Sequence, residues 1–402
     1  MYLLFLTLLY LTCRCYRKFG YSPSFFILLV YLISSIGGII YYYVFREVNN
    51  NFLYNVYYII NLIILLIPLV KYHIDIDRIE FKNTAIKYFS ILLIVLGVFS
   101  LYSCISDFNL LEVFYSWSDL RNEYYSDYGE IVIETKLHAR IASNFLCILP
   151  LSIPLGIYYL VDGQKMMSIS LLVVSLSLLL STIMKGERQG LLEYMSYYIF
   201  SILLFKDIMS SNLKKKIFIF TTVIISSLTI VVGLITISRF EDRGILESLF
   251  NYSGIQLYNA NDFLEVVQGQ TLNGALNFSY LTGDSAIYKI NEEISAPFYL
   301  NVFGGIVGSF YLDFGYATII FTSIFAYLFC TLFKFFYRKK SFIFFYLYFI
   351  YFQIMFVGVF YFKHTSHTFF RSSILFAVLI VLLEFIFKKR SNVQSINNSL
   401  NL

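Results

Sequence analysis

The chain has 402 residues, of which 58% are hydrophobic, and a formal charge of +5. Charged residues make up 14%, against about 25% in soluble globular domains. That apolar surplus, with 43 Phe and 36 Tyr, excludes a water-soluble domain and makes the bilayer the solvent. The small positive charge excludes a nucleic-acid partner and reads as loop Lys and Arg.

A spanning helix needs about 20 mostly apolar residues. Such runs fall at 1–13, 24–45, 52–70, 87–106, 140–161, 166–184, 189–205, 216–237, 315–336, 341–362 and 371–387. The expected fold is therefore an all-α polytopic membrane protein, residues 1–402 forming one integral membrane domain with about eleven spans. The opening "MYLLFLTLLYLT" lacks a basic leader and a small-residue cleavage site, so it reads as a first membrane helix and not as a removed signal. The stretch "FYLNVFGGIVGSFYLDFG" is apolar and Gly-rich. Residues 298–314 are expected to form a re-entrant segment; a true crossing there gives twelve spans, the alternative count.

Eleven spans put five basic clusters on one side. These are Arg14, Arg17 and Lys18; Lys71, Arg78, Lys82 and Lys87; Lys206 with Lys214–Lys216; Arg338–Lys340; and Lys388–Arg390. Basic loops stay in the cytoplasm. The opposite face then carries two large outer loops, 107–139 and 238–297, the tip at 185–188 and the "KHTSH" turn at 363–367.

Cations on the outer face need another reason. Arg140, Arg188, Arg239 and Arg371 stand at helix mouths, Lys185 beside Arg188, Arg121 in the first outer loop and Arg243 in the second. A single interfacial Arg is commonly a snorkelling anchor. Several around one face suit phosphate oxygens, which guanidinium grips bidentately without losing its charge. The first outer loop, "DLRNEYYSDYGEIVIE", adds Glu123 and Tyr124, a carboxylate and a ring suited to a sugar's hydroxyls and face. The second outer loop contains "ESLFNYSGIQLYNANDFLEVV", whose apolar spacing predicts an amphipathic outer helix. His364 and His367 are three apart and are candidates for substrate contact. No third ligand accompanies them, so no metal is expected, and no cofactor motif is present. The five cysteines form neither a metal spacing nor a disulfide framework.

In layout the chain resembles the oligosaccharide repeat unit polymerases, the Wzy-type O-antigen and capsular polysaccharide polymerases of bacteria. The resemblance rests on Arg121 beside acids in "DLRNEYY", the tip "GERQGLL" (Gly186, Arg188, Leu191), and Arg243 followed by ten residues and Gly254. It continues in "NVFGGIVGSFYLDFG", with Asn301, Val302, Asp313, Phe314 and Gly315. The first outer loop departs from the Arg-x10-Gly pattern, since Val132 stands where Gly is required. The resemblance implies a GT-C-like fold in the bacterial cytoplasmic membrane. It implies an enzyme, a glycosyltransferase that polymerises undecaprenyl-pyrophosphate-linked oligosaccharide at the outer face without a metal. A chain-length regulator protein is a candidate partner beside the lipid bilayer. Arg188, Glu187, Arg121 and Arg243 are the expected catalytic residues. Arg140, Lys185, Arg239, Glu123, Tyr124, His364 and His367 are the expected substrate-binding ones. The alternatives are a flippase or exporter of the same lipid-linked sugar and an O-antigen ligase-type transferase.

Overall fold

A computed structural model describes residues 2–45, 51–74, 84–106, 148–184, 188–239, 271–278, 304–339, 341–362 and 367–400, with scattered positions at 76, 79, 81 and between 247 and 265. The described residues are helical, with no strand among them. In chain order the helices are α1 (Tyr2–Phe19), α2 (Pro23–Val44), α3 (Phe52–Lys71), α4 (Thr84–Ser106), α5 (Ser152–Val161) and α6 (Lys165–Met184). They continue with α7 (Arg188–Phe205), α8 (Ser211–Arg239), α9 (Gly305–Phe314), α10 (Thr318–Tyr337), α11 (Phe342–Val357) and α12 (His367–Leu400).

Among the described residues, six stretches are long and apolar enough to cross a membrane: α2, α3, α4, Lys165–Ile183 of α6, Gly305–Tyr337 and Phe369–Phe387 of α12. The protein is a helical multi-pass membrane protein. The expected spans at 1–13, 189–205 and 216–237 coincide with α1, α7 and α8. Leu149–Val161 and α11 are apolar but shorter. At 1.5 Å per residue such helices fall short of a hydrocarbon core about 30 Å thick.

The chain divides into two compact units. The first takes Met1–His73, Thr236–Lys334 and Ile350–Phe370. Its opening hairpin is locally encoded. Gly20, at φ +61°, ends α1 with its N–H on the Tyr16 carbonyl at 2.8 Å. Ser22 caps α2, its hydroxyl accepting from Phe25 N at 3.3 Å, with Pro23 in the first turn. Both choices satisfy helix-end groups that lipid cannot.

Short α9 is the centre of this unit, and Gly305 through Asp313 are all buried. Ten residues span about 15 Å, so α9 crosses nothing by itself. Its first donors are satisfied by the turn that follows α11. Gly305 N donates to Phe360 O at 2.9 Å and Ile306 N to Gly358 O at 2.7 Å. The stretch Gly305–Tyr337 is broken at Gly315, whose φ of +53° stops α9 before a 3-10 turn leads into α10. A broken helix at membrane depth survives where protein surrounds it. Here Phe310, Phe314, Phe321 and Phe362 do so, Phe314 stacking on Phe321 at 4.4 Å between ring centroids.

Asp313 explains the "DFG" triplet further. It is fully buried and accepts from Leu276 N at 2.9 Å, Asn277 N at 2.8 Å and Asn277 Nδ2 at 2.6 Å. Asn277 Nδ2 also donates to Ser309 O at 2.6 Å. The carboxylate thereby ties residues 271–278, which the charge pattern assigns to the second outer loop, to α9. Upstream in the same loop, the described residues between 247 and 265 are helical, in keeping with the amphipathic helix read from the sequence. They lie on α2 at backbone contact: a Cβ on Gly254 would stand 2.3 Å from Gly38 Cα. Ser34 Oγ donates to Ser253 O at 2.7 Å there.

The second unit takes Ile74–Ile235, Phe335–Phe349 and Arg371–Leu402. Within it α4, α5, α6 and α7 pack together. Gly163, at φ +83°, turns α5 into α6. Glu384 of α12 accepts from Phe342 N at 2.5 Å and from the Ser341 hydroxyl, placing a carboxylate on the first backbone donor of α11.

Candidate functional site

The outer-face site expected from the sequence centres on the tip before α7. Arg188 is the first residue of α7. Lys185 and Glu187 lie outside the described residues, as do Arg121, Glu123, Tyr124, Arg140, Arg243 and His364. Arg239 is the last residue of α8 and His367 the first of α12. Arg188, Arg239 and His367 are therefore placed at helix ends by their backbone. Arg371, in the first turns of α12, is exposed.

What is built around the start of α7 is a buried polar stripe. Gln189, Glu193 and Tyr197 follow one another at four-residue spacing and share one helix face. Gln189 Nε2 donates to Glu193 Oε1 at 2.9 Å, and Tyr197 Oη to Glu193 Oε2 at 2.8 Å. Glu193 is only 7% exposed. Beside the stripe, Tyr194 Oη lies 3.2 Å from Ser175 Oγ of α6 and 3.4 Å from Tyr198 Oη. Tyr197 packs against Phe349, ring centroids 5.5 Å apart.

The α6–α7 tip is tight because Gly190 faces Thr182. A Cβ at 190 would come 2.3 Å from Thr182 Oγ1. Glycine at this position lets α7 start directly against α6, and so sets where Arg188 begins. This gives Gly190 a structural reason independent of chemistry, while Gly186, the glycine of the resemblance, lies outside the described residues.

No protein-family model, curated protein or solved structure matches the chain.

Glu193 went unassigned in the sequence, although a signal was there. "RQGLLEYMSYYIFSILLF" carries one carboxylate in a largely apolar helix, and a buried ionisable residue among apolar helices is a functional-site candidate. Buried polar residues in lipid need partners, and Gln189 and Tyr197 stand four residues to either side to supply them. Chemically, the stripe can hold a carboxylate in one rotamer and relay hydrogen-bonding from the helix end inward. Among the described residues no group of three or more His, Cys, Asp or Glu side chains gathers as a metal site would require.

Proposed function

We propose that this protein is an oligosaccharide repeat unit polymerase of the bacterial cytoplasmic membrane. It extends polysaccharide from undecaprenyl-pyrophosphate-linked repeats at the outer face. The observation that carries the reading is the buried Gln189–Glu193–Tyr197 stripe running inward from the helix end that Arg188 opens. A buried carboxylate held by side chains of its own helix is a functional-site candidate, and an Arg at the mouth of that helix suits an anionic leaving group.

The reaction transfers the growing glycan from its lipid pyrophosphate to a hydroxyl of an incoming lipid-linked repeat. The acceptor oxygen attacks the anomeric carbon. The bond from that carbon to the pyrophosphate oxygen breaks, and its electron pair leaves with the lipid pyrophosphate. Arg188, with Lys185, stabilises the charge that develops on the leaving oxygen. Glu187 takes the proton from the acceptor hydroxyl. Glu193 is a positioning residue: it orients Gln189 in the first turn of α7 and thereby the turn that presents Arg188. Arg121 and Arg243 join Arg188 in stabilising the leaving pyrophosphate, Arg140 and Arg239 bind phosphate, and Glu123, Tyr124, His364 and His367 contact sugar.

Purified protein supplied with a lipid-linked repeat tests this. A ladder of product lengths supports a polymerase, a single addition means a ligase-type transferase, and movement across vesicles without bond formation means a flippase. Arg188→Lys keeps the charge and loses the bidentate fork, so its ladder should fall by at least tenfold. Wild-type ladders from both Arg188→Lys and Arg188→Ala remove Arg188 from the site.

A further inference from the structure

The end of the first unit that bears Arg14, Lys18 and Lys71 holds a cavity of about 330 Å³ between α1 and α3. Ligand pockets begin at about that size. On α1 its wall is Leu11, Arg14, Cys15 and Lys18, spaced three, four and seven residues from the first, which is a single helix face. On α3 the wall is Ile63, Leu66, Ile67 and Val70, with the same spacing, ending at Lys71. The α3 face is thus aliphatic up to Lys71, while the α1 face sets Leu11 and Cys15 beside the cations Arg14 and Lys18. Leu66 and Cys15, each 1% exposed, form the floor, while Ile67 is 43% exposed, so the cavity opens sideways, where a bilayer lies. Lys18 Nζ is held 4.7 Å from the Phe19 ring and Lys71 Nζ 5.7 Å from the Tyr72 ring. Among the described residues no acidic side chain lines the cavity.

Snorkelling alone explains cations at a cytoplasmic helix end. It does not explain three of them gathered on the rim of one apolar, laterally open cavity. We propose that this cavity binds an anionic diacyl phospholipid of the inner leaflet. The lipid phosphate lies against Arg14, Lys18 and Lys71, and the glycerol and first acyl carbons lie on the aliphatic stripe of α3 and on Leu11 of α1. Charge complementarity selects the occupant: the inner leaflet supplies anionic headgroups already attached to apolar chains, and basic pockets between membrane helices hold them. A free phosphate would satisfy the cations and leave the aliphatic stripe uncovered. The site is separate from the proposed outer-face chemistry and does not depend on it.

Native mass spectrometry of the full-length protein in mild detergent tests this, with phosphatidylglycerol, phosphatidylcholine and inorganic phosphate as probes. Phosphatidylglycerol should be retained at least tenfold more than phosphatidylcholine. The triple variant Arg14→Gln, Lys18→Gln, Lys71→Gln should weaken retention roughly a hundredfold, at about fivefold per cation. Ile67→Trp keeps every charge and fills the opening, and should also displace the lipid; because residue 67 is exposed, that variant reports on the site even if the triple variant folds poorly. Equal retention of both lipids, wild-type retention in the Ile67→Trp variant, or displacement of phosphatidylglycerol by millimolar inorganic phosphate would each overturn the proposal.

Discussion

Asp313 and Glu193 are both buried carboxylates, and their surroundings assign them different work. Asp313 accepts two backbone N–H groups and a side-chain amide from residues 276–277, so it is a clamp. Asp313→Ala strips the Leu276 and Asn277 backbone N–H groups of their acceptor, a loss of about 2–6 kcal/mol at roughly 1–3 kcal/mol for each orphaned group. Thermal melting in detergent should fall accordingly, and residues 271–278 should become protease-sensitive. Asp313→Asn retains one acceptor oxygen and should melt between the two. Glu193 receives side-chain donors from Gln189 and Tyr197. Glu193→Gln preserves shape and changes charge. It should lower polymer yield at least tenfold with melting little changed and the lipid-linked substrate still bound. A matching loss of melting temperature would make Glu193 structural.

At the scale of elements, helix contact here is set by small residues at crossing points, as expected where lipid offers no hydrophobic drive to associate. The clearest crossing is between α2 and the helical residues around 254. A Cβ at Gly254 would meet the Gly38 backbone at 2.3 Å, and one at Gly37 would meet the Ser253 side chain at 1.9 Å. Backbone cannot swing aside as a side chain can. Gly254→Ala should therefore push this segment off α2 and cost about 1–3 kcal/mol, the usual price of overpacking, read as a lower melting temperature. Gly233, with open space around its Cβ position, is the control, and Gly233→Ala should melt like wild type. The glycine of the Arg-x10-Gly resemblance thus has a packing reason in this chain.

For the whole molecule, the charge pattern predicts sidedness. A cysteine at Asn273, in the second outer loop, should react with an impermeant thiol reagent in intact cells. One at Ser210, between α7 and α8, should react only after permeabilisation. The reverse pattern would remove the outer-face site altogether. The arginine-rich chemistry also predicts that extension of a lipid-linked repeat continues in excess chelator. Activity lost to chelator and restored specifically by Mg²⁺ or Mn²⁺ would replace the arginine account with a metal, and the acidic residues at 119–134 would then be the first ligands to test.

The positions of the helices were legible in the sequence because hydrocarbon thickness imposes a run of about 20 apolar residues on any span, a purely local constraint. The expected spans at 24–45, 52–70, 87–106 and 166–184 accordingly coincide with α2, α3, α4 and α6. The polar stripe on α7 was legible in principle for the same reason: its partners are four residues apart on one helix. Tertiary structure decided the rest. Asp313 meets Asn277 across 36 residues, and neither residue's neighbours announce the other. The sequence already separates 298–314 from the span starting at 315, where α9 ends, but only the surrounding aromatic side chains make a ten-residue helix tenable there. Likewise the α1 and α3 stripes are ordinary amphipathic spacing until packing sets them face to face around a cavity. Composition and period act along the chain, whereas hydrogen-bond satisfaction in lipid is settled between segments that sequence distance does not relate.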